Sequence, residues 1–180
     1  GIGFLGAVLF LLSKYHPSSL PACAPWDFSA PEFLAAALLL LWFARGLSLG
    51  AAPPIWRRVV FLIGIGSIYA VLQTHFEYWS QHMFFLNRIQ HVVMHHLGPF
   101  LIALGGAGKT IGRGMPMPLK RAIETSPVSA VLRILQQPPL AALIFTGTFA
   151  FWLIPPVHFR AMLDPRLYAV MNWTMVLDGF

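Results

Sequence analysis

Ser29-Ala30-Pro31-Glu32-Phe33-Leu34-Ala35-Ala36-Ala37-Leu38-Leu39-Leu40-Leu41-Trp42-Phe43-Ala44-Arg45 opens with helix-starting chemistry and then runs twelve residues, Phe33 to Ala44, without a charge. Ser29 and Glu32 have the capping-box spacing, and Pro31 suits a first helical turn. The apolar stretch reaches Leu49, so 31–49 has the length of a membrane span. Working outward, similar stretches occur at 1–14, 57–75, 84–105, 138–155 and 166–180, the third following Pro53-Pro54. The expected fold is all-α: a polytopic transmembrane helical bundle of about six spans, forming one domain over 1–180. The sequence begins at Gly1 without methionine and stops at Phe180 inside an apolar run, so the first and last spans are expected to be cut short. Gly1 to Ser13 has the length of a signal-peptide core, but no small-residue cleavage site follows, and it is read as part of a first span.

Composition supports this class. The chain is 57% hydrophobic and 10% charged, with a mean hydropathy of +0.69, far from the roughly 25% charge of a soluble domain. The net charge of +6 does not imply nucleic acid, because lysine and arginine gather on cytoplasmic loops and aromatics in interfacial belts. The lipid bilayer is the expected partner, with no nucleic acid and no nucleotide. The lone cysteine, Cys23, excludes an internal disulfide or a paired-cysteine metal site.

Orientation follows from the basic residues. Arg45, Arg57, Arg58, Lys109, Arg113, Lys120, Arg121 and Arg133 fall on one side of the six-span topology, which is therefore expected to be cytoplasmic. The opposite loops carry Lys14, Arg160 and Arg166, offset by Asp27, Glu32, Glu77 and Asp164. His16, His75, His82 and His158 then lie at the periplasmic face of a bacterial inner membrane, and His91, His95 and His96 descend the fourth span. His96 is placed about 18 Å below the helix start, and Asp178 about as deep in the last span. Ionisable groups at that depth point to function and are expected to face away from lipid.

Two stretches between the fourth and fifth spans need separate readings. Ala103 to Thr110 fits a relaxed phosphate-loop pattern, but that motif requires a strand before it and a helix after it. Here it ends a membrane helix and opens a basic loop. Ser129 to Gln137 reads as a short amphipathic helix on the inner membrane surface.

The densest chemistry is 74–99. Asn87, His91 and His95 are spaced by four and share a helical face, with Met94 beside them and His96 turned by about 100°. Imidazole with thioether suits Cu(I), so His91, His95, His96 and Met94 are the candidate metal ligands. Asn87, Asp178, His82 and His75 are candidate supporting polar groups. Pro99 removes the amide that would bond the carbonyl of His95, which predicts a kink beside the histidines. The alternative is that these histidines are hydrogen-bonding glue between helices. Met83, Met162, Met171 and Met175 read as packing, and Arg88 as a side chain snorkelling outward.

At 84–106 the sequence resembles the CtaG-type cytochrome c oxidase assembly proteins, multispan inner-membrane proteins linked to copper delivery to haem-copper oxidases. Asn87-Arg-Ile-Gln-His91 occupies the family's His-x-x-x-His pair, and Pro99-Phe-Leu-Ile-Ala-Leu-Gly105 its Pro-Leu-Leu-like sequel. Phe149 to His158 is similar to a Phe-x-x-Trp-x-x-Pro element, and Tyr168 to Phe180 to the family's final helix. Asn87 and Asn172 stand where the family has histidines, so only His91 carries over directly. The resemblance implies an assembly factor without catalytic turnover, with copper as cofactor and haem-copper oxidase subunits as partners. Two other readings remain open: an accessory subunit held permanently in an oxidase without its own metal, and a b-type cytochrome. The last needs axial histidines on facing helices, and a transporter would need paired broken helices or an internal repeat.

Overall fold

The computed structural model describes residues 1–180 apart from Asp27, Ser126 and Phe180 and the side chains of Ser19, Val128 and Leu132. The Asp27 charge, and the last residue of the family-like final helix, therefore lie outside the described residues. Every regular element described is helical. These elements fall into two compact units, Gly1–Gly114 and Met115–Phe180.

The first unit begins with α1 (Ile2–Tyr15), whose Gly6 lies under the ring of Phe33 on α2 (Ala30–Ser48). Pro31 sits in the first turn of α2 as its fixed φ favours. The capping box does not form: Ser29 makes no side-chain cap bond, and Glu32 instead accepts from Gln73 Nε2 at 2.5 Å. α3 (Ile55–Gln73) follows the two prolines, and Thr74 caps the short α4 (His75–His82) through the amide of Phe76. Next come α5 (Phe84–Val92), a π-turn (Val93–Leu97) and α6 (Gly98–Gly105), one unbroken helical path. α6 packs antiparallel on α3, since Gly105 lies against Phe61, Ile102 against Gly64 and Gly98 against Ile68.

Gly106 then takes a left-handed φ of 60°, a conformation that costs glycine little and ends the helix. The chain turns into α7 (Gly108–Gly114), which runs back along α2, with Thr110 beside Gly46 and Gly114 beside Trp42. The segment expected to open a basic loop is therefore partly a helix packed into the unit. A Cβ on Gly46 would strike the carbonyl of Thr110, and one on Gly114 the carbonyl of Trp42. This is the close approach that small residues spaced by four permit between membrane helices. Of the glycines of the phosphate-loop look-alike, Gly105 packs against Phe61, Gly106 makes the left-handed turn and Gly108 meets open space. Phe43, Phe61, Ile65 and Ala107 form the core beneath, with the two phenyl rings 4.4 Å apart.

The second unit holds α8 (Met117–Thr125), α9 (Pro127–Leu135), α10 (Pro138–Leu153), α11 (Pro155–Leu163) and α12 (Pro165–Asp178). Prolines open the last three, where a missing amide costs nothing. Asp164 caps α12 by accepting from the amide of Arg166 at 2.8 Å, and Trp152 Nε1 ties α10 to Thr174 of α12 at 3.0 Å.

The expectation of about six spans is not met. Among the described residues two helices, α2 and α3, are long and apolar enough to cross a membrane, or three if α9 and α10 count as one bent span. The reason differs between elements. α1 and α12 have 14 residues each and α10 has 16, short of the ~20 that a bilayer needs. The path 84–105 has the length, but Asn87, Arg88, Gln90, His91, His95 and His96 dilute its hydropathy.

Candidate functional site

The helical path 84–105 buries a polar face. Asn87, Gln90, His91, Met94 and His95 are each at most 1% exposed. Burying this many amide and imidazole groups is costly unless they are paired or put to use. Both ring nitrogens of His91 and of His95 are enclosed, as is Asn87 Oδ1. Gln90 Nε2 donates to the Val71 carbonyl at 2.8 Å and so fastens this face to α3.

A π-turn lies within this path, beginning two residues after His91 and including His95. Pro99 has no amide to give to the carbonyl of His95. The Gly98 amide bonds the carbonyl of Val93, five residues back. The backbone thus absorbs the proline by widening one turn instead of breaking, a device common at functional positions. Pro99 is itself buried.

His96 is exposed, with its ring 4.5 Å from that of His95. It stands on the outer side of the helix, apart from the buried His91, Met94 and His95. On α4, His82 is exposed and its Nδ1 lies 2.7 Å from the Tyr78 carbonyl. His75 stacks on Trp26, ring centres 4.0 Å apart. The guanidinium of Arg88 lies over Phe84, one turn back towards the helix start, with Nε and Nη1 enclosed. In the second unit, Asp178 has both carboxylate oxygens enclosed, and Asn172, Met171 and Met175 are buried along α12.

Sequence reasoning passed over two residues. Gln90 shares the face of Asn87 and His91 by spacing alone, but an amide is a poor metal ligand and drew no attention. Gln73, 1% exposed, joins the end of α3 to Glu32 near the start of α2; nothing in the local pattern signals a partner 41 residues away.

Among the described residues no three histidine, cysteine, aspartate or glutamate side chains form a group able to hold an ion. The buried donors on this face are two imidazoles and a thioether, a soft set that suits a low-coordinate Cu(I) better than a hard cation.

A model of the cytochrome c oxidase caa3 assembly factor family (Caa3_CtaG) matches residues 35–180. The chain belongs to that family. The match takes in the histidine-bearing path, the α7 return and the whole second unit, well beyond the short motifs at 84–106 and 149–158. No curated protein and no solved structure matches the chain. In this chain Asn87 and Asn172 are both buried, at the two places where the sequence resemblance calls for histidine.

Proposed function

We propose that the chain assists assembly of a haem-copper oxidase by receiving copper(I) at His91, Met94 and His95 and passing it to an oxidase subunit. The observation that carries this reading is the burial of those three side chains on one face of a single helix across a π-turn. Copper is cargo in this scheme, and the chain carries out no catalytic turnover. Imidazole and thioether ligands suit a soft ion and bring no charge of their own, so the complex carries only the single positive charge of copper(I). Asn87 and Gln90 flank the site as polar neighbours, and Gln90 keeps the face against α3. The histidine-bearing end is taken as periplasmic in a bacterial inner membrane, on the asymmetry of lysine and arginine.

Metal analysis of the detergent-purified chain under reducing, copper-replete conditions tests the proposal. Bound copper that disappears in His91→Ala and His95→Ala, with a matching fall in the copper content of the oxidase, supports it. A metal-free wild-type chain refutes it. The Gln90 bond to α3, and the lack among the described residues of a three-residue ion-binding group, favour one other reading, a metal-free accessory subunit whose histidines join helices. Co-purification with haem subunits at fixed stoichiometry, without copper in this chain, would establish that instead.

A further inference from the structure

The second unit presents a face that none of its described residues covers. No described side chain of α8 or α9 is buried, yet Leu119, Ile123, Val131, Ile134 and Leu135 are all exposed large apolar residues. Leu119 and Ile123 share one side of α8, while Lys120, Arg121 and Glu124 occupy the other by helical spacing. On α9, Val131, Ile134 and Leu135 share a side opposite Arg133, whose Nε is held on the Ser129 carbonyl at 3.3 Å. The pair carries three cations against one carboxylate, and that carboxylate, Glu124, lies 3.9 Å from Lys120.

A second, independent observation fixes what the face meets. α9 turns into the apolar α10 at 79°. When α10 enters a bilayer along its normal, α9 lies in the membrane plane at the level where α10 begins. An apolar side flanked by cations at that level matches the boundary between acyl chains and anionic headgroups. We propose that α8 and α9 rest in the headgroup layer at the N-terminal end of α10 and bind its anionic lipid. Leu119, Ile123, Val131 and Ile134 enter the acyl boundary, and Lys120, Arg121 and Arg133 pair with lipid phosphates. The bent pair is then one entering helix with an interfacial arm, not a single span. Nothing in this depends on copper.

The test uses the full chain with Cys23→Ser, carrying a nitroxide at Val131→Cys, Ile123→Cys or Glu124→Cys. The chain is held in nanodiscs of phosphatidylcholine with increasing phosphatidylglycerol. Collisions with oxygen report lipid, and collisions with a water-soluble nickel chelate report solvent. Labels at 131 and 123 should lose nickel collisions several-fold and gain oxygen collisions as phosphatidylglycerol rises, while the label at 124 stays open to nickel. In the combined K120Q/R121Q/R133Q background the response to phosphatidylglycerol should disappear. Because 131 and 123 lie on different helices, one label that disturbs folding leaves the other to decide. The proposal is overturned if both labels stay nickel-accessible in every lipid, or if both sit in lipid to the same extent with and without phosphatidylglycerol. Shielding from oxygen and nickel together would mean that protein covers the face, and would overturn it as well. So would a phosphatidylglycerol response that survives the loss of the three cations.

Discussion

His91 and Gln90 are neighbours on one buried face and are expected to fail differently. Replacing His91 or His95 with alanine removes a donor for which the soft set has no spare, so copper retained by the purified chain should fall below detection by metal analysis. Gln90→Leu removes an interhelical hydrogen bond to the carbonyl of Val71, which lies in the last turn of α3 where the helix supplies no donor of its own, a change worth about 1–2 kcal/mol in membrane bundles. Thermal unfolding in detergent should register that small loss while copper stoichiometry stays at the wild-type value. A Gln90→Leu chain that loses copper as His91→Ala does would make Gln90 part of the site. The ligand form of histidine is the neutral imidazole, so protons compete with metal. Copper retention should therefore weaken as pH is lowered from about 8 to about 5, because each imidazole that takes a proton is lost to the metal. Equilibrium dialysis against a copper(I) chelator across that range measures the slope, and a flat profile would remove histidine from the ligand set. The shared face of Asn87, His91 and His95 was legible because a spacing of four is a property of the helix itself. The exposure of His96 on the other side agrees with the same periodicity.

α7 and the π-turn show how much an element owes to one residue. Gly46→Val on α2 would drive side-chain atoms into the Thr110 carbonyl, a backbone atom with nowhere to go. The helices must part, at a cost of about 3 kcal/mol or more by the usual penalty for overpacking. Gly66→Ala is the matched control. Its Cβ meets open space, and alanine in a helix is better than glycine by roughly 0.5–1 kcal/mol. Unfolding by urea in mixed micelles should therefore show Gly46→Val strongly destabilised and Gly66→Ala neutral or improved. Pro99→Ala restores the amide that the carbonyl of His95 lacks, allowing the wide turn to close to an ordinary α-turn. That rotates 84–97 relative to 99–105 and draws Gln90 from the Val71 carbonyl, so helix content by circular dichroism should hold while thermal stability in detergent falls. The proline was legible as a perturbation beside the histidines, expected as a kink. Its outcome as a π-turn depended on packing against α3, because a kink would have pulled Gly98 away from Ile68 and Gln90 from Val71.

At the scale of the molecule, membership of the caa3 assembly factor family over 35–180 leaves the topology to experiment. Cys23 is exposed and lies between α1 and α2. If the basic side is cytoplasmic, a membrane-impermeant thiol reagent should label it in cells with a permeable outer membrane and an intact inner one. Labelling only after inner-membrane lysis would invert the chain and put the histidines on the wrong side for periplasmic copper. By itself the sequence determined the all-helical class, the start of α2 at Pro31, the shared face of Asn87, His91 and His95 and the family likeness, because composition, proline geometry and periodicity act over a few residues. It overstated the spans because α1, α10 and α12 fall short of the bilayer's thickness and the polar groups of 84–105 lower that helix's affinity for lipid. Only the tertiary structure decided that α7 returns along α2, and that Arg113 Nη2 reaches the Ala51 carbonyl at 2.9 Å across 62 residues. It also decided that Glu32 serves Gln73 and not its own helix start. Those pairings depend on whether two distant surfaces fit, glycine against backbone carbonyl and carboxylate against amide, and no local pattern in either partner encodes the shape of the other.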